Sequence, residues 1–187
     1  MPVDLAAIRR RYKPDRQLSQ LSVRPESELV PVSSATGTTR ILLDTTVYLH
    51  EVAGRLPNVA TGLLDRALRF HSSLCIAEVV IGLSKLHPDS ANFVPAWAYF
   101  ERLFEAVPAS RVLHASPATL AEAGAVCGIL ARVQNFARDQ LNVFFNDAVV
   151  YLTAARMGVP VLTANRADFD LIQQVVGHGN FIYYVAM

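Results

Sequence analysis

The chain has 187 residues, of which 52% are hydrophobic and 18% charged; that balance excludes a disordered chain and is enough to build one packed domain. Seventeen basic and 16 acidic residues leave a formal charge of +1, so no overall field draws a polyanion, and nucleic acid would have to be held by local clusters or a metal. The two cysteines, Cys75 and Cys127, lie in apolar surroundings and offer neither a disulfide framework nor zinc spacing. No uninterrupted apolar run reaches membrane length, and the N-terminal residues carry an acid and Pro where a signal peptide needs an apolar core. A soluble cytoplasmic protein is expected.

Residues 1–38 differ from the rest of the chain. They hold Arg9-Arg10-Arg11, Lys13 and Arg16, then a stretch rich in turn formers with little periodicity, so a short helix over Asp4 to Tyr12 followed by a partly basic arm or linker is expected. Residues 39–187 read as a single domain. Ile41-Leu42-Leu43 is a short buried strand running into Asp44, Thr45 and Thr46. A helical segment comes next, then another over Thr61 to Phe70 with leucines on one face. Leu74-Cys75-Ile76 reads as a brief strand, Ala77 to Leu86 as a helix ended by His87-Pro88, and Asn92 to Ala106 as a helix with an aromatic side. Arg111 to His114 is strand-like. Ser116 and Pro117 supply an N-cap and a first-turn proline for a helix reaching about Val133. Asp147 is expected to open a further helix that Gly158 and Pro160 stop; Val161-Leu162-Thr163 is the strand after it, and Phe181 to Val185 the last strand. Strands alternating with helices imply an α/β fold, with a mostly parallel sheet covered on both faces in three layers.

Four polar positions recur at strand ends or first helical turns: Asp44, Glu78, Asp147 and the pair Asn165 and Asp168. Each has an ordinary account as a cap or a first-turn acid that complements the helix dipole. Glu78, read as one residue into its helix, has hydrophobic neighbours on both sides, and an acid buried among them requires a partner or a metal. Together these residues converge on the C-terminal edge of the sheet, where ligands of open α/β sheets bind. Oxygen ligands without histidine suit Mg²⁺ or Mn²⁺, which keep several waters and orient a phosphodiester. The five histidines show no ligand spacing and read as surface or helix-end residues, and no glycine loop for a nucleotide phosphate occurs.

These phrases resemble those of PIN-domain proteins, most closely the VapC-type ribonuclease toxins of toxin–antitoxin pairs. The resemblance rests on Ile41-Leu42-Leu43-Asp44-Thr45-Thr46, on Glu78 followed four residues later by Gly82, on the helix phrase beginning Asp147-Ala148-Val149-Val150, and on Thr163-Ala164-Asn165-Arg166-Ala167-Asp168-Phe169. It covers about Arg40 to Val185. It implies a metal-dependent endoribonuclease leaving 3′-hydroxyl and 5′-phosphate ends, with Asp44, Glu78, Asp147 and Asn165 holding Mg²⁺ or Mn²⁺. Asp168 would support the loop or a metal-bound water. Thr45, Thr46 and Thr163 are read equally as hydroxyl donors to the reacting groups or as capping residues. An RNA substrate, a cognate antitoxin and a homodimer are the implied partners.

The chain departs from compact members of that family in three ways. Asn165 stands where many relatives carry a fourth acid, which removes a negative charge from the site. The gap between Glu78 and Asp147 is long, and its excess around His87 to Phe104 carries Trp97, Tyr99 and Phe100, an aromatic stripe read as core or dimer interface ahead of a base-stacking platform. The basic N-terminal arm is the third; it reads as a solvated tail, with presentation of an arginine to the acidic site as the speculative reading. The rival to the nuclease is a catalytically weak or inactive module of the same fold that binds protein or RNA, and a DNA-acting nuclease is a third reading.

Overall fold

Three successive apolar side chains, Ile41, Leu42 and Leu43, are all buried, which requires cover on both faces of their strand. The structure, a computed structural model, describes residues 3–137 and 140–187 and provides that cover. Strand β1 (Arg40–Leu43) is central in a five-stranded sheet with β2 (Leu68–Ser72), β3 (Val112–Leu113), β4 (Val161–Thr163) and β5 (Phe181–Tyr183), in the order β3-β2-β1-β4-β5. Every pairing is parallel, with Leu42 opposite both Phe70 and Val161.

The eight α-helices among the described residues are α1 (Leu5–Tyr12), α2 (Thr45–Val52), α3 (Asn58–Arg66), α4 (Ser73–Ser84), α5 (Phe93–Glu105), α6 (Pro117–Gln134), α7 (Gln140–Met157) and α8 (Arg166–Val176). Right-handed crossovers send the β1–β2 and β2–β3 connections to one face and the β3–β4 and β4–β5 connections to the other. The packing agrees: α2 meets α4 and α4 meets α5, while α6, α7 and α8 pack on one another. The order reverses direction between β1 and β4, which places a topological switch point at the middle of the C-terminal edge.

Three expectations differ from the structure. The second strand is Leu68–Ser72, not Leu74 to Ile76: Arg40 to Leu43 pair with Leu68 to His71, and Ser72 then caps α4 by accepting from the Leu74 N–H at 3.2 Å. A short apolar run serves strand and helix alike, so its composition could not separate them. The helix carrying Asp147 begins seven residues earlier, at Gln140, because Phe144 is buried and stacks on Phe136 at 4.2 Å between centroids. His71, read as a surface residue, is buried in β2 with its Nδ1 2.8 Å from the Tyr48 hydroxyl; burial, with Arg69 and Arg111 nearby, pulls its pKa down to about 4 and leaves it neutral at pH 7.

Within the aromatic stripe of α5, Phe100 is buried and stacks on Phe104, which meets Tyr48 edge-on at 5.7 Å, while Trp97 and Tyr99 are half-buried against the core. Among the described residues no helix is long and apolar enough to cross a membrane.

The segment expected as an arm lies against the domain, with α1 packed on α6. Asp4 caps α1, and Lys13 ends it with a positive φ. Tyr12 is buried and donates to Glu122 at 2.7 Å; Glu122 also accepts from Arg156 at 2.8 Å and pairs with Arg11 at 3.3 Å. Leu29, Val32 and Ala35 are buried, and the Tyr183 N–H donates to the Val30 carbonyl, so the segment adds a bridge beyond β5. Arg24 fastens it: its backbone N–H and Nε donate to the two carboxylate oxygens of Asp170 at 2.8 and 2.6 Å, and Asp170 is 0% exposed. Irregular backbone carries no periodicity, which is why these anchors were illegible in the sequence.

Arg24→Ala removes the charged partner of a buried carboxylate, leaving it only the residue-24 N–H and Gln174 as donors, and is expected to destabilise the fold by about 3 kcal/mol in urea melts. Arg9→Ala, at an exposed position, is expected to change stability by less than about 0.5 kcal/mol.

Candidate active site

Asp44 ends β1 at the switch point and caps α2, and it is 3% exposed. Its Oδ2 accepts from the Thr46 hydroxyl at 2.7 Å and from the Thr163 hydroxyl, at the end of β4, also at 2.7 Å. Each hydroxyl is held in turn by a backbone amide of the loop after β4: Ala164 N–H donates to Thr46 Oγ1 at 3.0 Å, and Asn165 N–H to Thr163 Oγ1 at 2.8 Å. Two relays therefore run from the loop backbone through threonine hydroxyls to one carboxylate oxygen. Burial nevertheless outweighs these bonds and pushes the Asp44 pKa up.

Glu78 and Asp147 reach the same place by a route that differs from expectation. Glu78 is the sixth residue of α4 and Asp147 the eighth of α7, so neither stands in a first turn. They project over the sheet edge from helices on its two faces. Glu78 accepts from the Thr45 hydroxyl and, at 2.6 Å, from Asn146 Nδ2. Asp147 accepts from Asn165 Nδ2 at 3.0 Å. The same Nδ2 donates to Asp168 at 2.8 Å, while Asn165 Oδ1 accepts from the Asp168 N–H and so caps α8. Partners at both ends of the amide determine its orientation.

Asn165, read as a metal ligand, is thus a donor between two carboxylates, with its oxygen engaged on backbone. The three threonines, read equally as donors to reacting groups or as caps, all donate to carboxylates: Thr46 and Thr163 to Asp44, Thr45 to Glu78. Each has a single proton, so in this arrangement they position acids. The sequence reading missed Asn146, which lies beside Asp147 and turns toward Glu78. It also missed the buried Cys75, whose thiol is pushed up first by burial and next by Asp44, with Glu78 adding to the effect. Adjacent residues on a helix point about 100° apart, so no periodic signal marked Asn146.

The electrostatics follow from the neighbours. Burial first, then Asp44, Asp168 and Glu78, push the Asp147 pKa up to about 9 against the Asn165 bond; burial also raises Asp168. Among the described residues every ion pair lies elsewhere, on Glu122, Asp170, Asp89 or Glu26. The four acids are met by neutral donors and by one another. Crowded carboxylates of this kind favour a cation. No three carboxylate, imidazole or thiol groups among the described residues stand close enough to hold an ion by themselves. The donor set, all hard oxygen, nevertheless fits Mg²⁺ or Mn²⁺, because such ions take one or two carboxylates and fill the remaining positions with water and substrate oxygen.

No family model and no curated protein matches the chain. Solved structures do. FitAcB from Neisseria gonorrhoeae superimposes with a TM-score of 0.55 at 19% identity, covering 77% of this chain and 96% of that one. VapBC2 from Rickettsia felis, bound to a DNA fragment from their promoter, gives 0.54 at 16% identity over 78% and 99%. FitAB bound to the IR36 DNA fragment gives 0.52 at 18% over 76% and 93%. The fold is PIN-like. At these identities the likeness extends to the fold alone, and the expected three-layer α/β/α architecture is the observed one, with every strand parallel.

In the metal-free protein Asp147 keeps its proton up to about pH 9 when folded but releases it at about pH 4 when unfolded. The folded state then holds more protons across that window, so stability falls as pH rises through it. Thermal melts of metal-free protein are expected to show a Tm that declines from pH 5 to 9, with a shallower decline in Asp147→Asn and in millimolar Mn²⁺. Equal slopes in wild type and variant would refute the raised pKa of Asp147.

Proposed function

We propose that this chain is a metal-dependent endoribonuclease of the VapC type, using Mg²⁺ or Mn²⁺ bound among Asp44, Glu78 and Asp147, with one or two of these carboxylates on the ion and water and substrate oxygen in its remaining positions. The observation that carries this reading is the set of acids at the switch point, supplied with neutral donors and no basic partner among the described residues. Elsewhere in the chain buried acids are matched by arginine, as at Asp170 and Glu122. A site that keeps its acids unmatched suits a divalent ion and a phosphodiester, and the ion when bound supplies an acidified water and a counter-charge for the departing oxygen.

The chain's own residues do the positioning. Thr46 and Thr163 hold Asp44 Oδ2 and so orient the remaining lone pairs of that carboxylate. Thr45 and Asn146 do the same for Glu78. Asn165 bridges Asp147 and Asp168, lowering the repulsion that a fourth acid at position 165 would add, and no ligand role is needed for it. RNA is the substrate in this reading, by the resemblance of the Asp44, Glu78, Asp147 and Thr163–Phe169 phrases. A partner protein of the antitoxin kind is supported by the FitAB and VapBC2 assemblies that share the fold, two of them DNA-bound. A homodimer acting in the cytoplasm completes the proposal.

The test is calorimetric titration of Mn²⁺ into wild type, Asp44→Asn and Asp147→Asn, with subsequent cleavage assays on labelled RNA. Wild type is expected to bind the ion and cleave, with EDTA abolishing cleavage and each variant reducing it by about 10²-fold or more. Absence of Mn²⁺ and Mg²⁺ binding at millimolar concentration in wild type would overturn the reading in favour of a non-catalytic module.

A further inference from the structure

A cavity of about 330 Å³ opens at the C-terminal edge beyond β4 and β5, lined in part by Glu26, His50, Arg55, Ala164, Arg166 and Tyr184. It shares a wall with the acidic site. Ala164, which lines it, is the residue whose N–H holds Thr46 against Asp44, and Asn165, between Ala164 and Arg166, bridges Asp147 and Asp168. Tyr184 comes directly after β5 with its N–H on the Thr163 carbonyl at 3.1 Å, and its hydroxyl meets His50 Nδ1 at 3.0 Å. The cavity therefore adjoins the loop that carries Asn165 and Asp168, and it is lined by two arginines, one of them paired with Glu26.

The arginines are held in a way that leaves them exchangeable. Arg166 lies over the Tyr183 ring, 5.8 Å from its centroid, and pairs with Glu26 at 2.6 Å; the two side chains are 33% and 63% exposed. A pair so open to water contributes little to stability. Arg55 is exposed and donates through Nε to the Met187 carbonyl at 3.2 Å, which leaves its terminal nitrogens toward solvent. A guanidinium seated on a ring, with one surface carboxylate as its counter-ion, readily takes a phosphate in that carboxylate's place.

The basic triplet does not serve this purpose. Arg11 is bound to Glu122, which also holds Arg156, and Arg156 lies nine residues past Asp147 on α7, about 13 Å along the helix at ~1.5 Å per residue. With a net charge of +1, a strand drawn to the acids must find its basic contacts locally.

We propose that this cavity binds a backbone phosphate of the single-stranded RNA whose neighbouring phosphodiester lies at the acids, with Arg55 and Arg166 as the phosphate ligands and Glu26 as the internal anion that the phosphate displaces. The proposal rests on the ribonuclease reading but is tested apart from it. His50 and Tyr184 form the polar wall that gives the phosphate its seat.

The experiment is fluorescence anisotropy of a labelled single-stranded RNA with full-length Asp44→Asn protein in EDTA, over a range of salt concentrations. Arg166→Ala and Arg55→Ala are each expected to raise Kd by about three- to tenfold and to lower the salt slope by about one contact, with Arg166→Lys recovering part of the loss. Glu26→Gln is expected to tighten binding. Unchanged Kd and salt slope in both arginine variants, with Tm unaltered, would overturn the subsite, as would a Glu26→Gln variant that weakens binding as much as Arg166→Ala. Cleavage by the protein with native Asp44 separates the two claims: cleavage with arginine-independent binding removes the subsite and keeps the nuclease. Arginine-dependent binding without cleavage does the reverse. A wild type that neither binds nor cleaves RNA removes both.

Discussion

The fastening of Asp44 to the end of β4 is the interaction on which the rest of the site depends. One carboxylate oxygen receives the hydroxyls of Thr46 and Thr163, and both hydroxyls are gripped by backbone amides of the β4–α8 loop. The ends of β1 and β4 are thereby joined where the sheet reverses its order, and the loop carrying Asn165 and Asp168 is brought to Asp44. Connections leave these two strands in opposite directions and open a crevice between them, and a buried acid placed there closes its floor while keeping an oxygen edge for a ligand.

The protein surrounds its hydrogen-bonded acids in two ways. Asp170 receives Arg24, and Glu122 receives Tyr12, Arg156 and Arg11, so these charges are paired or hydrogen-bonded and the fold is tightened around them. Asp44, Glu78, Asp147 and Asp168 receive hydroxyls and amides only. Neutral donors orient a carboxylate without supplying an opposite charge, and Asp44, Asp147 and Asp168 are all pushed up in pKa. Structural acids and site acids are thus distinguished by the charge of their partners: Asp44 is as buried as Glu122 and Asp170, yet it receives no arginine, while Glu78, Asp147 and Asp168 are half-buried.

The same distinction accounts for the N-terminal segment. Its contacts run to the helical layer of α6, α7 and α8, to α3 and to the open edge at β5, with Glu26 reaching Arg166 beside the acidic site, and they cover a sheet edge that would otherwise present unpaired amides. Its Arg24 and Glu26 stand two residues apart and do different work, one stitching the segment to buried Asp170 and the other facing Arg166 at the rim.

The amino-acid sequence by itself determined the features whose cause is local. Ile41 to Asp44, with three apolar residues and then a capping acid, and Thr163 to Asp168, with an Asx cap after a buried strand, need only their own neighbours to take their form. The alternation of apolar strands with helices determined the layered sheet. Tertiary structure decided the remainder. Whether Leu68–Ser72 or Leu74–Ile76 was the strand depended on pairing with β1, and the start of α7 depended on Phe144 stacking on Phe136. Asn146 as a partner of Glu78, Asn165 as a bridge between acids, and Arg24 as the mate of Asp170 all join residues distant in sequence or on different elements. Propensity and periodicity report the energy of a segment against water, whereas these contacts arise from which segments the assembled sheet brings together, and that information exists only in the folded chain.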